Sequence, residues 1–96
     1  MQARRLRREM TISHEEFFRL VPRALADIPF TRCGSRVEAR CGERRIDIRL
    51  EPEFKRRLAS LELPVTRISM ALRGFGAEDE AAFLARFDLA FQKGGG

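Results

Sequence analysis

Tyrosine, tryptophan and asparagine are absent from this chain, and all eight of its aromatic residues are phenylalanine. Histidine occurs once, at position 14, and cysteine twice, at 33 and 41. With one distant histidine and no second cysteine cluster, the ligand sets of zinc sites cannot be assembled, so no metal is expected. The same shortage leaves no nucleophile–histidine pairing, and no glycine-rich loop opens a helix as a phosphate cradle would. No cofactor and no catalytic residue are therefore expected. No apolar run approaches the length of a membrane span or the core of a signal peptide.

What is present is the composition of an ordinary globular domain, 44% hydrophobic and 34% charged, in 96 residues. Arginine outnumbers lysine seventeen to two, and the net charge is +5. Residues 1–9 supply +3 of that, through Arg4, Arg5, Arg7 and Arg8 against Glu9. This stretch lacks an apolar period and reads as a disordered basic arm. Residues 10–93 then form a single α+β domain, and 94–96 a frayed glycine tail.

The most sharply patterned stretch is Arg36–Leu50, which alternates apolar and charged residues on both sides of Gly42-Glu43. Period two with one face apolar is the signature of strands that bury one side. Val37, Ala39, Cys41, Ile46, Ile48 and Leu50 make the apolar side, with Arg36, Glu38, Arg40, Arg45, Asp47 and Arg49 opposite. A tight turn at Gly42-Glu43, with glycine first as a type II′ turn requires, sets Ala39 against Ile46 and Val37 against Ile48. A second turn at Gly34-Ser35 brings in a preceding strand over 28–33, with Phe30 facing Ala39, Ile28 facing Cys41 and Cys33 facing Arg36. The two cysteines then lie on different faces and about 16 Å apart along the strand, too far for a disulfide. Two free thiols imply a reducing compartment, the cytoplasm.

Helices flank this hairpin. Ser13 and Glu16 form a capping box, and Ile12 with Phe17 the hydrophobic staple, for a helix carrying Phe17, Val21 and Leu25 on one stripe. Pro22 should kink that helix or split it. His14 falls in its first turn on the polar side. Residues 51–64 hold a turn at Glu51-Pro52-Glu53, then a helical turn over 54–58 and a short strand or irregular piece over 58–63, with Pro64 stopping the alternation that Leu61 and Leu63 begin. Ile68, Met70 and Leu72 alternate with Arg67, Ser69, Ala71 and Arg73, predicting a strand over 65–74. The last helix, from Ala77 to Lys93, opens with Glu78, Asp79 and Glu80, where the helix dipole favours acids, and lines Phe83, Phe87 and Phe91 on its core side.

The expected architecture is a two-layer sandwich: helix, antiparallel meander of three to four strands, helix, with both helices on one sheet face. The other face carries Arg36, Glu38, Arg40, Arg45, Asp47, Arg49, Arg67 and Arg73, six arginines against two acids. Charge is sorted by layer, basic on the sheet and acidic on the helices. The register pairs Arg40 with Arg45 and Arg36 with Arg49, arrangements that cost stability unless a partner uses them.

The order helix–three strands–helix is similar to that of double-stranded-RNA-binding domains. That family grips phosphates with lysines at the start of its last helix, where this chain has Glu78-Asp79-Glu80. The sign is opposite, and the resemblance carries no RNA-binding expectation. Sheet-face readers of single strands add stacking aromatics, and none lies on this face. Glu38 and Asp47 are adjacent carboxylates, but surrounding arginines keep both ionised, which suits a structural pair better than a proton donor.

The expectation is a small non-enzymatic interaction module that docks an acidic partner on the Arg-rich face, protein ahead of nucleic acid. The alternative is a self-assembling homo-oligomer through the sheet face or an edge strand. A small-anion binder or enzyme built on Glu38, Asp47 and the arginines ranks below both.

Overall fold

The computed structural model describes residues 3–26 and 28–95, with side chains up to Gln92. Among these residues the chain forms six strands and two helices: β1 Arg4–Met10, α1 His14–Ala24, β2 Phe30–Cys33, β3 Arg36–Cys41, β4 Arg44–Leu50, β5 Phe54–Leu58, β6 Leu61–Arg73 and α2 Ala77–Gly95. The sheet order is β1-β6-β4-β3-β2, all neighbours antiparallel, with β5 paired to the far half of β6. The fold is α+β, with more strands than the three to four expected.

The central register follows the side-chain alternation. Val37 pairs with Ile48, Ala39 with Ile46, Glu38 with Asp47, and Arg40 with Arg45. Phe30 pairs with Ala39 and Cys33 with Arg36, while β2 begins at Phe30 rather than 28. Ile28 packs on the core from outside the strand, and Cys41, expected inside, is exposed. Gly34 and Gly42 take φ of +61° and +62° at the two turns.

The apolar side chains of β3, β4 and the near half of β6 join Phe17, Leu20, Val21 and Ala24 of α1 and Phe83, Phe87, Ala90 and Phe91 of α2 in one cluster. Phe17 and Phe91 stack across the helix pair at 4.9 Å between ring centroids, and Phe87 meets Phe91 at 4.8 Å. Offset aromatic contacts of this kind add to the burial of the rings themselves. Ser13 caps α1 by accepting a 3.1 Å hydrogen bond from the Glu16 amide. Pro22 lies within α1 without dividing it, near the C-terminal end where one lost bond is tolerated.

Two segments differ from the sequence expectation. The basic arm at 1–9 is, from Arg4 onward, strand β1, which pairs along its whole length with β6. Leu6 and Met10 pack on the core, and between them Arg8 pairs with Asp88 of α2 at 3.3 Å, as Arg4 does with Glu80 at 3.2 Å. Residues 54–65 form a β-hairpin, with β6 continuing straight through Pro64. There β6 has a neighbour on one side, so the missing N–H costs no ladder bond on the other. The twelve steps of this thirteen-residue strand span about 40 Å at the usual rise, which accounts for most of the long dimension of the 46 × 26 × 23 Å molecule. α2 runs through Gly94 to Gly95; the last residue of the expected tail, Gly96, lies outside the described residues.

Candidate binding face

Strand alternation sends every second side chain of β3, β4 and β6 away from the core. The chain lines that side with charge, and the cross-strand register sets it out in rows. In the row nearest the Gly42 turn, Arg45 stands between Arg40 of β3 and Arg73 of β6 as direct partner of both. The next holds Glu38, Asp47, Ala71 and Arg5 side by side across β3, β4, β6 and β1. A third holds Arg36, Arg49, Ser69 and Arg7. The small side chains of Ser69 and Ala71 leave a floor between the arginines of β1 and the longer side chains of β4. These rows line an open concavity of about 1190 Å³.

The acids of these rows, Glu38 and Asp47, both pair with Arg36. Arg36 grips Asp47 in a two-point fork, Nη2 to Oδ2 at 2.7 Å and Nε to Oδ1 at 3.2 Å, and its Nη2 lies 2.7 Å from Glu38 Oε1. The Asp47 fork holds the Arg36 guanidinium above its ordinary pKa. Arg49 Nε is 3.8 Å from the same Asp47. Arg5, Arg7, Arg40, Arg45 and Arg73 make no ion pair among the described residues, and all five are exposed. The free positive charge therefore runs along β1 and across the end row, around a neutralised centre.

Seven of the eight residues read from the sequence line this concavity. The eighth, Arg67, lies at the foot of the β5–β6 hairpin, where its Nε is 3.0 Å from Glu9 Oε2 and its guanidinium 5.1 Å from the Phe54 ring centroid. Arg56 of β5 takes the other oxygen of Glu9 at 2.8 Å. The Arg56 hydrogen bond, followed by that from Arg67, lowers the Glu9 pKa to about 2. Sequence reasoning missed Arg5, Arg7 and Glu9, which β1 delivers to the charged side. The available signal was the spacing of Leu6 and Met10, obscured by arginine at the other two inward positions, 4 and 8.

His14 is engaged at the β4–β5 connection, with Nε2 2.8 Å from the Glu51 carbonyl oxygen and its amide donating to Glu53 Oε1 at 2.8 Å. It fastens α1 to that connection. Cys33 and Cys41 are free and exposed. Among the described residues no three His, Cys, Asp or Glu side chains converge as a metal site would need, and no helix is long and apolar enough to cross a membrane. No protein-family model, curated protein or solved structure matches this chain.

Proposed function

We propose that this protein is a small docking module whose charged sheet face receives an acidic partner, a protein ahead of a nucleic acid. The reading takes both helices as the cover of the apolar face, in keeping with the single core cluster they share with the sheet. The observation that carries it is the end row Arg40–Arg45–Arg73, three like charges on adjacent strands with no internal counter-charge among the described residues. Such a row costs stability in isolation, and the missing anions are ones a partner would bring. Arginine forks suit carboxylates in particular. Free thiols and the lack of a membrane-length helix suit the cytoplasm as its location.

Self-assembly is the weaker reading. The free edges carry Arg4, Arg5, Arg7 and Arg8 on β1, Lys55, Arg56 and Arg57 on β5, and Arg32 on β2, charges of the kind that block edge pairing. Three of the four acids of α2 that could answer a second copy's arginines are paired within the chain, Asp79 with Arg44 at 2.7 Å, Glu80 with Arg4 and Asp88 with Arg8, which leaves Glu78.

A fluorescein-labelled hexaaspartate peptide tests the proposal. Its anisotropy should rise with protein at low salt, fall back as salt is added, and stay flat with the Arg40→Glu/Arg45→Glu variant. Equal binding by wild type and variant would contradict it. An oligonucleotide bound more tightly than the peptide under the same conditions would reverse the order of partners.

A further inference from the structure

The charged face continues onto the hairpin arm. Residues 61, 63, 65 and 67 of β6 share the parity of Ser69, Ala71 and Arg73, so Leu61, Leu63 and Val65 stand on the same side of the strand as the arginines. Val65 is buried yet stands outside the core cluster, as that parity requires. Across the arm Val65 pairs with Phe54, Leu63 with Arg56 and Leu61 with Leu58, so this side of the hairpin is apolar apart from one arginine. At the tip Leu58 and Leu61 are 60% and 59% exposed, and Phe54 is also exposed at the base. A two-stranded ribbon is marginal alone, and leucines facing water on it add nothing to the fold. The base is fastened by Glu9 to Arg56 and Arg67; the leucines of the tip stay largely in water.

We infer that the whole length of β6, from Arg73 to Leu61, is one binding track for an extended protein segment that is acidic at one end and apolar at the other. The inference rests on the docking function proposed above and names the partner's pattern. The track is about 40 Å long at the usual strand rise. Its floor is Ser69 and Ala71, its acid-accepting end the row of Arg40, Arg45 and Arg73, and its apolar end Leu58, Leu61 and Leu63. A second copy of this chain is a poor occupant. With Val65 buried, the arm's four accessible apolar side chains, Phe54, Leu58, Leu61 and Leu63, fall well short of the ~800 Å² per partner that a standard interface buries. Extending the contact onto the sheet would set arginines against arginines.

The test uses three labelled peptides on the intact protein: hexaaspartate, and hexaaspartate joined through Gly-Gly to Leu-Ser-Phe-Ser-Leu at its C-terminal or its N-terminal end. One order should bind about tenfold more tightly than hexaaspartate alone, the gain expected from covering two leucines. The Leu58→Ser/Leu61→Ser variant should lose that gain while keeping the affinity for hexaaspartate. Both positions are exposed, and circular dichroism checks that the variant folds. If hexaaspartate binds but neither order gains, or the gain survives in the variant, the track is wrong while the docking face stands. If hexaaspartate fails to bind, both fall. A wild-type dimer in sedimentation velocity that the double serine variant converts to monomer would also overturn the inference, by giving the arm to a second copy.

Discussion

Arg45 and Arg73 are direct cross-strand partners on β4 and β6, and neither has a carboxylate within ion-pairing distance among the described residues. With Arg40 on the other flank of Arg45, repulsion within the row opposes folding. Arg45→Gln should therefore raise stability by several tenths to about 1 kcal/mol in urea melts at low salt. The gain should shrink in high salt, where the wild-type row is screened. A loss of stability at low salt would mean that the row has a counter-charge within the fold.

Gly74 has φ of +77°, and a Cβ there would lie 2.2 Å from the carbonyl oxygen of Glu43 in the neighbouring turn. Gly34, at φ +61°, has open space around its Cβ position. Gly34→Ala should cost about 1–2 kcal/mol from left-handed strain alone. Gly74→Ala should cost clearly more, because backbone must also move. Equal losses in thermal or urea unfolding would argue that the turn yields freely.

Glu9 joins β1, β5 and β6 through Arg56 and Arg67, and its pKa falls from the ordinary 4.5 to about 2. A carboxylate with a depressed folded-state pKa stabilises fully above its unfolded value and loses that contribution as pH falls through the folded one. Its share of stability should thus be complete above about pH 4.5 and disappear toward pH 2. Carboxyl carbon NMR should place its midpoint near 2. Glu9→Gln should flatten this part of the acid-unfolding curve; an unchanged curve would show the cluster inert.

Thr66 is fully buried, and its hydroxyl donates a 2.8 Å hydrogen bond to the Ile12 carbonyl, tying the approach to α1 onto β6. Thr66→Val keeps the shape and leaves that carbonyl without its partner. The expected cost is about 1–3 kcal/mol, the range for orphaning a buried polar group, read by urea unfolding.

The β3–β4 hairpin was legible in the sequence because its code is local. Alternation of period two and a glycine at each turn fix faces and register together. The helices were legible for the same reason, through Ser13, Glu16 and the phenylalanine spacing. Strand β1 was hidden because two of its inward positions, Arg4 and Arg8, are satisfied by Glu80 and Asp88 of α2, far along the chain. The β5–β6 hairpin was hidden differently. Its turn uses Ala59 at φ +56° where glycine or asparagine would have announced it, and Pro64 reads as a strand terminator although β6 passes through it. The charged side of the sheet was accordingly legible at its centre and missed at its rim. Arg5 and Arg7 arrive on the unrecognised strand, and the apolar arm follows from a continuity of β6 that Pro64 conceals.

The central claim is that the unpaired guanidiniums of the charged face receive a partner's acids, and arginine side-chain NMR tests it most directly. On titration with hexaaspartate at low salt, the Nε resonances of Arg40, Arg45 and Arg73 should shift first and furthest. That of Arg36, already forked to Asp47, should move little. Shifts confined to arginines elsewhere, such as Arg23 and Arg86 on the helices, or a uniform drift of all of them, would contradict the account.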